Sequence, residues 1–132
     1  MFSGIITNLG KVQSRKGSVF TFRTTPSLCL KLGPGTSIAV NGACLTVIRK
    51  TSQTFTVEIM TETQNRAMLG KLQMNDLVNL ELPVTPKSFL SGHIVQGHVD
   101  GVGVIKEIVP QGNSRILRIS IPKLIAEYIA EK

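Results

Sequence analysis

Two stretches of this chain repeat one another. Phe2-Ser3-Gly4-Ile5-Ile6-Thr7-Asn8-Leu9-Gly10 opens the sequence, and Ser91-Gly92-His93-Ile94-Val95-Gln96-Gly97-His98-Val99-Asp100-Gly101-Val102-Gly103 reopens it. Gly4 and Gly10 align with Gly97 and Gly103 at a single offset of 93 positions, and an apolar residue, Phe2 or Val95, stands two places before the first glycine of each pair. The chain therefore finishes one unit and starts it again. Whatever the first unit folds into, the second begins the same way.

The first unit reads as strands. Phe20 and Phe22 alternate with Thr21 and Arg23; Phe55, Val57 and Ile59 with Thr54, Thr56 and Glu58; Val78, Leu80 and Leu82 with Asn79 and Glu81. Period two places one set on a core face and the other towards solvent. Ser37 to Val40 and Cys44 to Ile48 are two more strands around Asn41-Gly42, a strong tight-turn signal. The first strand is expected from Ser3 to Val12. Six short antiparallel strands predict a small closed barrel, which removes sheet edges. Thr61 to Gly70 predicts a short helix ending at Gly70 with Thr61 or Thr63 as cap, and Pro26 to Leu32 a shorter helical turn.

Pro83-Val84-Thr85-Pro86-Lys87-Ser88 reads as a linker. After it Leu117, Ile119 and Ile121 alternate with Arg118 and Ser120, and Pro122 follows as Pro26 does. Pro122 to Lys132 predicts a helix with Leu124, Ile125, Tyr128 and Ile129 on one face. The tail repeats two strands and one helix, so the expected division is a barrel over 1–87 and an incomplete second barrel over 88–132. Such a unit leaves strand edges to be disordered, swapped, or packed on another copy.

Composition narrows the function classes. Apolar residues make up 42% of the chain, enough for a core, and no apolar run approaches the roughly 20 residues that span a bilayer. The N-terminus lacks a charged leader region and a long apolar run, so a soluble cytoplasmic protein without a signal peptide is expected. The net charge of +7 comes from scattered Lys and Arg with doublets only at Arg15-Lys16 and Arg49-Lys50. With five Phe, one Tyr and no Trp there is little to stack single strands on, which argues against nucleic acid. Cys29 and Cys44 make no disulfide framework.

Three clusters could carry chemistry. In Asn41-Gly42-Ala43-Cys44-Leu45-Thr46-Val47, Cys44 and Thr46 share one strand face and Leu45 and Val47 the other. That polar pair lines a ligand pocket or simply packs. Glu58, Met60 and Glu62, with Thr61 and Thr63, end one strand and start the helix, where backbone N–H groups could take a ligand's carbonyl oxygens or side chains could cap. His93 and His98 are five apart, not at the spacing of helical zinc ligands, and no metal site is expected. Each could serve as a general acid–base or as a structural histidine. The glycines at 92, 97, 101 and 103 lack the strand–turn–helix setting of a nucleotide fingerprint.

Together, Met1-Phe2-Ser3-Gly4-Ile5-Ile6, Val40 to Val47, Glu62-Thr63, Val78-Asn79-Leu80-Glu81 and Gly92 to Gly101 resemble riboflavin synthase, in order and across the whole chain. The resemblance implies two six-stranded Greek-key barrels in tandem, the second shortened in this sequence. It implies a cofactor-free dismutation of two 6,7-dimethyl-8-ribityllumazine molecules to riboflavin and 5-amino-6-ribitylaminouracil, in a homotrimer that forms sites between neighbouring subunits, with a lumazine synthase complex as a further possible association. It assigns substrate contacts to Phe2, Gly4, Ile5, Ile6, Cys44, Leu45, Thr46, Glu58, Ile59, Met60, Thr61, Glu62 and Thr63. Gly97, His98 and Val99 would open a second pocket, and Lys132 would bind ligand. Cys44, Ser37, Thr46 and His98 would assist catalysis. Gln64 and Ala67 stand where the family commonly has Leu and Thr. A non-catalytic lumazine- or flavin-binding antenna protein on the same fold is the alternative.

Overall fold

The computed structural model describes residues 1–86 and 96–129. They form two compact units, Met1–Val99 and Asp100–Lys132.

In the first unit six antiparallel strands close into a barrel: β1 (Asn8–Lys16), β2 (Val19–Arg23), β3 (Ser37–Val40), β4 (Ala43–Lys50), β5 (Thr54–Glu58) and β6 (Leu77–Glu81). The order around the barrel is β1-β2-β5-β4-β3-β6. β3, β4 and β5 are sequential neighbours and β6 returns beside β3, which is a Greek key. Alternation sends Phe20, Phe22, Phe55, Val57, Ile38, Val40, Leu45, Val47, Val78 and Leu80 inwards, all at 5% exposure or less. The rings of Phe22 and Phe55 stack at 5.3 Å between centroids. Each such side chain stabilises the fold by about 1.5–3 kcal/mol through burial.

Two short helices add to this core. Pro26–Lys31 (α1) starts at Thr25, whose side chain accepts from the Leu28 N–H, and buries Leu28 and Cys29. Thr61–Arg66 (α2) is shorter than the predicted helix. Its N-cap is Met60, with no side-chain cap bond, so neither Thr61 nor Thr63 caps it. Gln64 Nε2 instead donates to the Ile59 carbonyl at 2.8 Å. Met68 at φ 55° breaks the run, and Leu69–Lys71 forms a separate 3-10 turn, so Gly70 does not end the helix.

The first strand also differs from expectation. Ser3 to Thr7 is not strand, because Gly4 has φ 82° and the Ser3 and Gly4 N–H groups donate to the Glu81 carboxylate instead of to a neighbouring strand.

The second unit is a hairpin, β7 (Val104–Gln111) and β8 (Ser114–Ser120), followed by α3 (Lys123–Ala126). It repeats the order β1-β2-α1. The duplication reaches a local irregularity: β1 slips its register between Val12 and Ser14, and β7 does so between Ile105 and Glu107, at the same offset as the glycines. The strand expected around Gly97 is absent from 96–103; pairing starts at Val104. α3 ends at Ala126 with Pro122 as its cap, shorter than the helix expected from Pro122, and Leu124, Tyr128 and Ile129 are exposed. The compact units divide after Val99 and not at the proline linker, because residues 96–99 pack with the barrel.

Candidate ligand cavity

The Asn41-Gly42 turn has both residues in the left-handed region, φ 49° and 81°, as a tight hairpin of primed type requires. It is fastened to β6 twice. The Asn41 N–H donates to the Asn79 carbonyl at 2.9 Å, and the Asn79 N–H donates to Asn41 Oδ1 at 2.8 Å. Beyond the turn β4 alternates as expected: Ala43, Leu45 and Val47 enter the core, while Cys44 and Thr46 face out. On that outer face Cys44 stands opposite Ala39, Ala39 opposite Glu81, and Thr46 opposite Ser37.

Part of this face is covered, at Ala39 and Glu81. Phe2 is 1% exposed yet lies outside the barrel's interior cluster. Its carbonyl accepts from the Gly97 N–H at 2.6 Å, and the Val99 N–H donates to the Gly42 carbonyl at 3.0 Å. The aligned glycines of the repeat meet here: a Cβ at Gly97 would come 2.7 Å from the Gly4 Cα, so only glycine permits the approach. The Phe2 and His98 rings sit edge to face, 5.3 Å apart at 61°.

Between the turn, the start of α2 and His98-Val99 lies a cavity of about 310 Å³, lined by Gly42, Ala43, Cys44, Glu62, Thr63, Ala67, His98 and Val99. That is the lower end of the range for small-molecule sites. A thiol, a carboxylate, a hydroxyl and an imidazole converge on it. His98 Nδ1 is buried without a hydrogen-bond partner among the described residues. A buried ring nitrogen with unused hydrogen-bonding capacity is a group that a ligand would satisfy. Among the described residues no cluster of His, Cys, Asp and Glu could hold a metal.

Of the residues expected at the site, Cys44, Glu62, Thr63, His98 and Val99 come together. Phe2, Gly4 and Gly97 support them from behind. Leu45 and Ile59 point into the core at 5% and 0% exposure, so only their main chain is available to a ligand. Thr46 and Ser37 lie one row further along the outer face. Glu58 accepts from Ser18 Oγ at 3.0 Å. Met60 and Thr61 are exposed and outside the cavity lining, as are Ile5 and Ile6. Ile5 lines a different depression, which also contains Glu81. His98 and Val99 line this same cavity. The bonds of Gly97 to Phe2 and of Val99 to Gly42 hold the segment there. His93 and Lys132 fall outside the described residues. Gly42, Ala43 and Ala67 were not expected. The first two precede Cys44 in the motif already singled out, and Ala67 is the position where the resembled family commonly has Thr.

Residues 3–83, the whole barrel, match the lumazine binding domain. Over its full length the chain is 43% identical to riboflavin synthase of Mycobacterium tuberculosis (strain ATCC 25618 / H37Rv), of which it covers 68%. This chain belongs to the riboflavin synthase family. Riboflavin synthase of Actinobacillus pleuropneumoniae is also 43% identical over the full chain, which spans 63% of that protein. Among solved structures, LumP complexed with riboflavin superposes with a TM-score of 0.78 at 26% identity, covering 98% of this chain and 72% of that one. LumP complexed with 6,7-dimethyl-8-(1'-D-ribityl) lumazine gives 0.74 at 25%, covering 93% and 70%. In this riboflavin synthase relative the cavity lies on the outer face of the matched domain, beside the Asn41-Gly42 turn.

Proposed function

We propose that this chain is a riboflavin synthase and that the cavity beside Cys44 and His98 holds one 6,7-dimethyl-8-ribityllumazine. The observation that carries the reading is the convergence of Cys44, Glu62, Thr63 and His98 on one cavity of the matched domain. The reaction is redox-balanced between two identical substrates: one gives up a four-carbon unit, leaving 5-amino-6-ribitylaminouracil, and the other accepts it to become riboflavin. The chain's contribution is orientation plus proton transfer at a ring methyl. Thr63, Glu62 and the turn main chain offer donors and acceptors to the polar ring edge. In this reading Cys44 and His98 assist proton transfer, as do Ser37 and Thr46 further along the face of Cys44.

A site completed by a neighbouring subunit, as in a homotrimer, accords with Ile105, Ile108, Leu117 and Ile119 of the second unit, which are exposed. A cytoplasmic location and a complex with lumazine synthase belong to the same proposal. No described helix is long and apolar enough to cross a membrane. The likeness to LumP favours one alternative, a lumazine- or flavin-binding protein without turnover. Incubation of the purified chain with 6,7-dimethyl-8-ribityllumazine separates the two. Riboflavin absorbance rising well above the uncatalysed rate is expected; tight binding without turnover would establish the alternative, and no binding would remove both.

A further inference from the structure

Glu81 closes β6 and is 3% exposed, yet it touches neither the barrel interior nor the cavity beside Cys44. A buried carboxylate is costly unless its oxygens are satisfied. Among the described residues it meets no cation. The start of the chain satisfies it instead: Oε1 accepts from the Ser3 N–H at 2.5 Å and from Ser3 Oγ at 2.7 Å, and the Gly4 N–H reaches Oε2 at 3.1 Å. The Ser3 hydroxyl in turn accepts from the Ile5 N–H at 3.3 Å.

The residue immediately before this clamp is Phe2. Its carbonyl holds the Gly97 N–H and its ring meets the His98 ring. Gly4, inside the clamp, is the backbone against which Gly97 packs. We propose that Glu81 is a positioning residue for the ligand cavity: its carboxylate ties Ser3 and Gly4 to the outer face of β6, and through Phe2 and Gly97 it sets where the His98 imidazole stands. The inference rests on the reading of that cavity as the ligand site. The alternative, that Glu81 serves only barrel stability, fits the geometry less well. β6 is held to β1 and β3 by main-chain ladders, and its core side chains are Val78 and Leu80.

The test uses the full chain and the variants Glu81→Gln and Ser3→Ala. A glutamine presents an NH₂ group to at least one of the donors and loses the charge-assisted character of the others. Fluorescence titration with 6,7-dimethyl-8-ribityllumazine is expected to show binding weakened about tenfold or more in Glu81→Gln and about threefold in Ser3→Ala. The assigned imidazole proton resonances of His98 are expected to move in both variants as the Phe2 ring shifts, while the amide resonances of β2, β4 and β5 stay in place. Unchanged affinity together with unchanged His98 resonances would overturn the proposal. If Glu81→Gln does not fold, Ser3→Ala decides on the same two readouts. If the unaltered chain binds no lumazine, the cavity reading fails, and the His98 resonances alone then decide whether Glu81 positions that ring.

Discussion

The two cysteines show how one residue type takes two roles. Cys29 sits in α1 at 1% exposure, and burial pushes its thiol pKa up against the opposing pull of the Lys50 ammonium. Cys44 is exposed and lines the cavity. Since the thiolate is the nucleophile, iodoacetamide at neutral pH is expected to modify Cys44 well before Cys29, and bound lumazine should protect Cys44. Peptide mass mapping with and without ligand reads both effects; equal labelling of the two thiols would contradict the assignment. Cys44→Ala should weaken lumazine binding, whereas Cys29→Ala should leave affinity unchanged while lowering the denaturant midpoint through its cavity. The outward face of Cys44 follows from period two in the sequence. That His98 would be its neighbour does not, because the two lie far apart in the chain and meet only through Phe2, Gly97 and Val99.

At the level of elements, the Asn41-Gly42 hairpin and the start of the chain build the cavity walls by different means. The hairpin is legible in the sequence, since an Asn-Gly pair between alternating segments admits few other structures. Gly42 has a second duty that the pattern hides: a Cβ there would sit 3.3 Å from the Val99 Cβ. Gly42→Ala is therefore expected to cost about 1–2 kcal/mol in urea unfolding from the left-handed backbone alone, and to reduce lumazine affinity by displacing Val99. An affinity unaffected by the substitution would show that Val99 is not a functional wall. The strand expected from Ser3 fails for a local reason. A buried side-chain carboxylate competes for the Ser3 and Gly4 N–H groups, and alternation says nothing about such a competitor. Gly10 is tight in another way, since a Cβ would lie 2.7 Å from the Leu80 Cδ1. Gly10→Ala should destabilise the barrel by about 1–3 kcal/mol through overpacking against β6, measurable by chemical denaturation.

The two units differ in how much they bury: the first is a closed barrel, and the second a hairpin whose strands are mostly exposed. A barrel has no free edges, and its core residues are almost without exposure. A two-stranded hairpin by itself is marginal in water, and β8 is exposed along its whole length. Hydrogen exchange should accordingly protect β2, β4 and β5 to near the global unfolding free energy and leave β7 and β8 exchanging orders of magnitude faster in the monomeric chain. Strong protection of β7 and β8 that disappears on dilution would instead reveal a partner copy covering the hairpin.

The sequence by itself determined what depends on neighbours along the chain. The alternating runs and the Asn-Gly turn fix a six-stranded barrel, and the glycine offset announces its partial repetition; the matching bulges in β1 and β7 came with the structure. Those signals are local because strand period and turn chemistry are local. Only the tertiary structure decided which residues share the cavity: Cys44, Glu62, Thr63 and His98 come from separate segments, brought together by barrel closure and by the contact of Gly4 with Gly97. It also decided the role of Glu81, whose partners at Ser3 and Gly4 lie at the other end of the unit. The spacing of residues along the chain carries no trace of a hydrogen bond that exists only once β6 lies beside β1.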